Sequence, residues 1–341
     1  MSSLKYFFVV LFLFYSCGPN KEQSDKERFF LRGNDKLKIR EYKDAIKYYD
    51  EALKLDRNYV MAYNNRGIAK FESEQYYEAV LDYSSAISID TTFIDAYFNR
   101  SNAYLQLTQY SKSLEDIKKV EAALADAAHV PFFKGLIYTE MKEYENAIIA
   151  FENSKKLDQD NIETWINIGT VHYYLGDFEK AKLILQQAID NDPQHADAYN
   201  VMGLVATQTQ ELLVAIDYFD KAIKINTNQA YYLNNRGRAH LLLNNLNAAE
   251  DDINRSIMLD PYNGWAYRNK GELHLQKNEP EAALRVLRQA EKLNAEIDQL
   301  YFYIGEAYLA QHNTKLACEA FKKAKLKGDI PSEEMVNSIC D

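Results

Sequence analysis

The feature that most constrains this chain is a small residue that returns every 34 positions. Glycine occupies this place at Gly33, Gly67, Gly135, Gly169, Gly203, Gly237, Gly271 and Gly305, with Ser101 in the one remaining place. Nine repeats follow one another without insertion or deletion over residues 26–331, as 26–59, 60–93, 94–127, 128–161, 162–195, 196–229, 230–263, 264–297 and 298–331. A strict period of this length is typical of stacked supersecondary units and argues against a single globular core.

The spacing within each repeat predicts two helices. With the recurring glycine counted as position 8, positions 4, 8 and 11 share one face of a first helix, called helix A, and positions 20, 24 and 27 share one face of a second, called helix B. Small residues at positions 8 and 20 let two antiparallel helices approach to about 8 Å, while aromatic residues fill the space beside them. Aspartate or asparagine at position 31 is expected to end helix B and to cap the next helix A.

The repeat resembles the tetratricopeptide repeat family. The fifth repeat carries the pattern most completely, with Trp165, Ile168, Gly169, His172, Ala181, Leu185, Ala188 and Pro193 at the family's spacing. The resemblance implies an all-α, right-handed superhelical solenoid of nine helix-turn-helix repeats, with helix A lining the concave side. It also implies a protein-binding scaffold that is not an enzyme and carries no cofactor.

The third and fourth repeats depart from the pattern. Ser101 and Ser113 replace the glycine at position 8 and the alanine at position 20. Leu124 replaces the usual aspartate or asparagine at position 31, and Pro131 stands at position 4 of the next repeat. Proline fits only near the start of a helix. We therefore expect a bend, or a changed stacking angle, between residues 120 and 135.

The last ten residues, 332–341, are expected to form a short cap on the ninth repeat. Met335, Val336 and Ile339 could cover its exposed helix pair, and an end left uncovered would be a surface for self-association. Two states are open for Cys318 and Cys340, since they could form a disulfide in an oxidising compartment or remain thiols.

Residues 1–16 resemble the signal peptide of a bacterial lipoprotein. Lys5 precedes an apolar stretch over residues 6–15, which is too short to cross a membrane. Ser16 then precedes Cys17, the residue that the resemblance implies is lipidated, although Phe14 departs from the family's small aliphatic residue. An ordinary cleaved signal or a short uncleaved anchor is the alternative.

Lipid on Cys17 would place the protein in the cell envelope. The resemblance implies several acyl chains, which hold a protein stably on a membrane, and Gly18 after the cysteine favours the outer membrane. Residues 17–25 are then a tether, and the expected partners are envelope proteins or a peptide segment from one. The formal net charge of -10 argues against nucleic acid as a partner.

Candidate binding residues come from helix A positions 2, 5, 6, 9, 12 and 13, which the family's fold places in the groove. Asparagine recurs at position 6, as Asn65, Asn99, Asn167, Asn235 and Asn269. Aromatic and cationic candidates near them are Phe98, Phe132, Tyr174, Tyr231, Trp265, Arg268 and Phe302. The family's site for chaperone C-termini pairs lysine at position 5 with asparagine at position 9, and Arg268 with Glu272 does not satisfy it.

Several interpretations of these residues are open. A side-chain amide donates and accepts, so the asparagines could hold the backbone of an extended peptide; alternatively they only shape helix A. The aromatic residues could anchor a protein, stack on sugars in a glycan-capture protein, or belong to the core.

No catalytic motif is evident in the sequence, so an enzyme with an unrecognised site is the weakest alternative. His172, His240 and His274 all take position 11, a packing position, and lie one or more whole repeats apart. That separation exceeds what ligands of one metal ion allow. We expect core histidines and no metal site.

Overall fold

The computed structural model describes residues 21–340, so the predicted signal peptide and Cys17 lie outside the described residues. Residues 21–340 form nineteen α-helices and one π-helical turn, with no β-strand among them. The predicted all-α fold is confirmed. None of the helices in this range is both long and apolar enough to cross a membrane.

Helices A and B alternate along the chain. The helices A are α1 (Lys21–Lys38), α3 (Val60–Phe71), α5 (Ile94–Gln106), α7 (His129–Glu140), α9 (Ile162–Tyr174), α11 (Ala196–Gln208), α13 (Ala230–Leu242), α15 (Gly264–Gln276) and α17 (Leu300–Ala310). The helices B are α2 (Tyr42–Leu55), α4 (Tyr76–Ile89), α6 (Tyr110–Ala123), α8 (Tyr144–Leu157), α10 (Phe178–Asn191), α12 (Leu212–Ile225), α14 (Leu246–Leu259), α16 (Pro280–Leu293) and α18 (Thr314–Leu326). Because α1 begins at Lys21, residues 21–25 of the expected tether are helical.

The chain divides into two compact bodies, an N-terminal body that ends at Glu143 and a C-terminal body that begins at Tyr144. In the N-terminal body, α1 packs with α2, α3 with α4 and α5 with α6, and each pair contacts the following helix A. The same arrangement runs from α9 to α18 in the C-terminal body, where α8 packs on α9. Each body is thus a stack of helix pairs in which each pair contacts the next. The bend expected at residues 120–135 stays a prediction.

The recurring glycine lies against the residue at position 24 of helix B. A Cβ atom added to Gly169 would lie 2.6 Å from Cγ of Leu185, and one added to Gly203 would lie 2.5 Å from Cε1 of Phe219. Both partner side chains are fully buried. Distances below 3.0 Å leave no room for a methyl group. In the repeats that carry glycine, this close contact explains why position 8 bears no side chain.

Ser101 and Ser113 form a matched pair where the third repeat lacks the glycine and alanine. Each hydroxyl donates a hydrogen bond of 2.8 Å to the backbone carbonyl oxygen of the other residue, and both side chains are fully buried. The two departures from the pattern thus compensate each other. Each serine provides the acceptor for the hydroxyl of the other, which would otherwise be buried without a hydrogen bond.

The residue at position 31 ends helix B but does not cap the next helix A, and that part of the prediction is wrong. Asp56 has extended backbone angles at the end of α2, and its Oδ1 accepts a 2.9 Å hydrogen bond from the backbone N–H of Asn58. In this turn the carboxylate of the residue that ends helix B is bonded to the N–H two residues further on, so it does not reach the next helix A. Two helices A are capped by an asparagine three residues later, where Asn161 accepts from Thr164 and Asn263 accepts from Ala266.

Arginine at position 7 joins three helices in the second, third and seventh repeats. Arg66 of α3 donates through Nε and Nη2 to Asp82 of α4, at 2.8 and 2.5 Å, and through Nη1 to Asp50 of α2 at 2.5 Å. The equivalent groups are Arg100 with Asp116 and Ser84, and Arg236 with Asp252 and Asp220. Each arginine therefore ties its repeat to helix B of the repeat before it.

A short cap closes the described chain. Helix α19 (Ile330–Met335) is followed by the π-helical turn Val336–Cys340. Val336 packs against Ala317 and Phe321 of α18, as expected of a cap. Cys318 and Cys340 form a disulfide, which fastens this turn to α18, so the alternative of two free thiols is wrong.

Candidate binding face of the helices A

Successive helices A contact each other and form a continuous surface in each body, which we call the A-helix face. In the C-terminal body α9 contacts α11, α11 contacts α13, α13 contacts α15 and α15 contacts α17. In the N-terminal body α1 contacts α3 and α3 contacts α5. The residues at positions 2, 5, 6 and 9 of neighbouring helices thereby come together.

The A-helix face of the C-terminal body holds a cavity of about 490 Å³, which we call the C-terminal cavity. It is lined by Tyr173, Leu204, Thr207, Gln208, Gln210, Tyr231, Asn234, Asn235, Arg238, Leu242, Asn263, Trp265, Arg268, Asn269, Asp298 and Gln299. Five of the twelve predicted groove residues, Tyr231, Asn235, Trp265, Arg268 and Asn269, lie in this one cavity. These five predicted groove residues come from repeats seven and eight.

The N-terminal body holds a second cavity of about 330 Å³. Its walls are Asn64, Asn65, Ile68, Ile94, Asp95, Phe98, Asn99, Val120, Leu124 and His129. Three predicted residues, Asn65, Phe98 and Asn99, contribute to it. Apart from Asp95 its lining is amide, apolar and histidine, whereas two arginines and Asp298 line the C-terminal cavity.

Four of the five position-6 asparagines bond to the preceding helix A. The Nδ2 of Asn99, Asn235 and Asn269 donates to Oδ1 of Asn64, Asn200 and Asn234, at 2.9, 2.9 and 2.8 Å. Asn65 donates in the same way to Asn34 at 2.9 Å, whereas Asn167 donates to the backbone oxygen of Glu163 in its own helix. These amides join consecutive repeats, a role that neither sequence interpretation included.

These bonds use one donor of each amide and fix its orientation. Asn269 is only 1% exposed, and its Oδ1 is buried without a hydrogen-bond partner. Asn235 is half-buried and lines the cavity. Side chains held in this way lose little conformational entropy when a ligand binds.

Two arginines that line the C-terminal cavity, Arg238 and Arg268, lie close to the same carboxylate. Arg238 of α13 forms a salt bridge with Glu272 of α15, and Arg268 lies 3.9 Å from the same carboxylate oxygen. The Arg268 guanidinium is stacked between Trp265 and Tyr303, at 5.3 and 5.7 Å from the ring centroids. Burial lowers the pKa of Arg268, and the charge of Arg238 adds to the effect.

Aromatic side chains form part of the wall of this cavity. Tyr231 and Trp265 are 38% and 43% exposed, so each presents part of a ring to solvent. The hydroxyls of Tyr231 and Tyr232 both donate to Oδ1 of Asp197, at 2.5 and 2.7 Å. Burial together with this hydrogen bond raises the pKa of Tyr231 to about 12. The ring of Tyr231 is thereby held in place while one side stays open.

The other predicted aromatic residues line neither cavity. Phe302 packs against the core around Phe321, with ring centroids 6.1 Å apart. Tyr174 is half exposed and stacks on Tyr144 at 5.6 Å. Phe132 is partly buried on α7.

The position-11 histidines are packing residues of their helices. His172 is 9% exposed, and burial lowers its pKa; burial also lowers the pKa of His240. His274 of α15 lies 2.7 Å from a carboxylate oxygen of Glu279, the residue directly before α16. Within residues 21–340 no cluster of three or more histidine, cysteine or acidic side chains could hold a metal ion.

The sequence analysis did not identify Arg238 and Asn234, which line the cavity, or Asn200, which accepts a hydrogen bond from Asn235. A usable signal was present, because the tetrapeptide Asn-Asn-Arg-Gly occurs twice, at residues 64–67 and 234–237. In both copies the first asparagine accepts from the next repeat, the second donates to the repeat before, and the arginine joins the helices B.

Comparisons with known proteins agree with this fold. A family model described as tetratricopeptide repeat matches residues 30–92, 166–230 and 268–332, more than half of the chain. A second model with the same description matches residues 94–122, 131–161 and 230–263. A search of curated proteins finds no significant match.

Solved structures give the same result at low sequence identity. A chain of the APC/C hetero-tetramer Cut9-Hcn1 is similar with a TM-score of 0.63 and 14% identity, over 94% of this chain and 77% of that one. A tetratricopeptide repeat protein from Parabacteroides merdae ATCC 43184 is similar with a TM-score of 0.56 and 15% identity, over 83% of this chain and 99% of that one. The chain belongs to the tetratricopeptide repeat family.

Proposed function

We propose that this protein is a non-enzymatic scaffold that binds an extended segment of a partner protein on its A-helix faces. Tetratricopeptide repeats form protein-interaction scaffolds, and the A-helix face is the surface on which successive repeats bring their polar and aromatic residues together. The C-terminal cavity is the observation that carries the proposal. Its volume of about 490 Å³ lies within the range of ligand sites, roughly 300–1,000 Å³.

The lining of the cavity suits a peptide. Tyr231 and Trp265 offer partly exposed rings, which are the side chains most often found at the centre of protein interfaces. Asn234, Asn235 and Gln208 supply amides that can pair with a peptide backbone whatever its sequence. Because the asparagines are already fixed by bonds between helices, little ordering remains to oppose binding.

A photo-crosslinking experiment in intact cells tests the proposal. A photoreactive phenylalanine placed at Tyr231 should give an adduct with one defined protein. The same residue at Leu213, which is 75% exposed on α12 and lies outside the cavity, should not. Equal, unspecific labelling from both positions would contradict binding on the A-helix face.

Trp265→Ala should weaken capture of the crosslinked protein at least tenfold, because a central aromatic anchor contributes about 2 kcal/mol or more. Tyr262→Ala is the matched control, since Tyr262 is 82% exposed in the turn before α15 and lies outside the cavity. Affinity is measured with the purified proteins. Loss of binding to a glycan array in Trp265→Ala, with no protein adduct at position 231, would favour glycan capture instead.

We also propose that Cys17 carries lipid and that the partner is an envelope protein. The support is the sequence pattern of residues 1–18 together with the start of α1 at Lys21. Four residues span at most roughly 13–14 Å, so a lipid on Cys17 would hold the first repeat close to the membrane, with the outer membrane as the expected location.

Cys17→Ser should move the protein from the membrane fraction to the soluble fraction and abolish incorporation of labelled fatty acid. Several acyl chains attach a protein stably to a membrane, and the serine variant would carry no acyl chain. Release from the membrane fraction should therefore be nearly complete. Cys318→Ser is the control and should keep its label. Unchanged membrane retention and labelling in Cys17→Ser would overturn the anchor.

A further inference from the structure

Arg268 differs from the other arginines that are buried on the helices A. Arg66, Arg100 and Arg236 each donate two hydrogen bonds to one aspartate of the following helix B. Arg268 is more buried than any of these, with its side chain 8% exposed, yet its Nε and Nη1 have no hydrogen-bond partner. A buried cation without hydrogen bonds is costly and calls for a partner.

The neighbouring charges do not supply that partner. Glu272 is the nearest carboxylate, but its oxygen is already bonded by Arg238, and Arg268 remains 3.9 Å away. Asp298 also lines the cavity and acts on Arg268 only through its charge. Two guanidinium groups that line the cavity thus lie next to one close carboxylate, that of Glu272, and Asp298 is the acidic residue among those that line the cavity.

The chemistry of the site selects one class of group. A guanidinium presents its N–H groups in a planar fork that matches a carboxylate or a phosphate. Glu272 beside the two arginines and Asp298 in the cavity wall would repel a dianionic phosphate more strongly than a singly charged carboxylate. Protein segments carry carboxylates on aspartate, on glutamate and at the chain end.

We propose that the C-terminal cavity is an acidic-residue site, in which Arg268 receives a carboxylate of the bound segment between Trp265 and Tyr303. The proposal rests on the scaffold function proposed above and names the chemistry of its partner. It differs from the family's pattern for chaperone C-termini, because position 9 here is Glu272 and not asparagine.

Synthetic peptides test this assignment with the purified, folded chain. The probe is an array of random 12-residue peptides, each printed with its aspartates and glutamates and again with asparagine and glutamine in their place. Every peptide is printed with a free C-terminal carboxylate and as the amide. We expect retention of acidic peptides and at least tenfold weaker retention of the neutral versions. Loss on internal replacement identifies a side-chain carboxylate, whereas loss on amidation identifies the chain end.

Two variants with the same change of charge provide the control. Arg268→Gln should lose the preference for acidic peptides, whereas Arg285→Gln, at an exposed position of α16, should keep it. The melting temperature of Arg268→Gln should stay within about 3 °C of the parent or rise, because the lost cation makes no hydrogen bond. A fall as large as that of Asp82→Ala, which removes the aspartate bonded to Arg66, would show that Arg268 is structural and would overturn the proposal.

The outcomes separate this proposal from the scaffold function. If the adduct forms at position 231 but retention of peptides ignores their acidic residues, or survives Arg268→Gln, the carboxylate assignment is wrong and the scaffold function stands. If no adduct forms and no peptide is retained, both are wrong. Acid-dependent retention lost only in Arg268→Gln supports the assignment.

Discussion

Asp82→Ala is expected to lower the free energy of unfolding by about 3–5 kcal/mol, because it removes one partner of a buried ion pair. Asp82 is 3% exposed and accepts two hydrogen bonds from Arg66, and Lys70 lies 2.7 Å from its Oδ2. Burial lowers the pKa of Arg66, but Asp82 and Asp50 outweigh it and raise the pKa above its ordinary value. An arginine side chain does not lose its proton in proteins, so Asp82→Ala leaves the charge of Arg66 with Asp50 as its remaining hydrogen-bonded carboxylate.

The measurement is urea unfolding of the purified chain, fitted as a stack of nearest-neighbour repeats because such arrays unfold repeat by repeat. Glu51→Ala is the control. Glu51 forms an ion pair with Lys54 in which the two side chains are 46% and 68% exposed, and such pairs contribute about 0–1 kcal/mol. A loss below about 1 kcal/mol for Asp82→Ala would show that solvent replaces the aspartate and that the Arg66 group does not hold the repeats together.

The apolar core of this protein could be predicted from the sequence because its contact between positions 8 and 24 recurs along the chain. Gly169 against Leu185 and Gly203 against Phe219 are the same contact between positions 8 and 24, so one rule of spacing predicts all copies. The first helix of each pair could likewise be placed from its small and aromatic residues. Because the same steric requirement recurs at position 8, it appears in the sequence as a 34-residue period.

The polar contacts between repeats could not be predicted from the sequence in the same way. Asn64 and Asn99 are 35 residues apart, and whether their amides meet depends on the angle at which one helix A packs on the next. Ser101 and Ser113 look like two defects until their mutual hydrogen bonds are seen. Spacing also cannot decide whether Cys340 returns to Cys318, because that depends on how the cap folds back.

The carboxylate turn after helix B shows a further limit. Aspartate or asparagine in a turn can accept from the N–H two residues on or from the first turn of the next helix. Asp56 makes the first of these bonds, whereas Asn161 and Asn263 make the second three positions later in the repeat. The residue type alone is compatible with either hydrogen bond, and the backbone angles at the end of helix B decide which of the two forms.

Gly169→Leu is expected to lower the free energy of unfolding by about 1–3 kcal/mol through overpacking. Even a methyl group at this position would lie 2.6 Å from Cγ of Leu185, an atom too close to its own backbone to move aside easily. Leu185 is fully buried, so the added side chain can enter only if α9 and α10 separate. Urea unfolding measures the loss, and Gln187→Leu, at an exposed site of α10, should change stability little.

A double variant shows whether the loss comes from this contact. Leu185→Ala alone leaves a cavity and should cost about 2–5 kcal/mol. In Gly169→Leu combined with Leu185→Ala, the new leucine can fill that cavity, so the combined loss should be smaller than the two single losses together by more than about 0.5 kcal/mol. Strict additivity would mean that the leucine disturbs the helix pair elsewhere. In that case the glycine at position 8 would not owe its recurrence to the side chain at position 24.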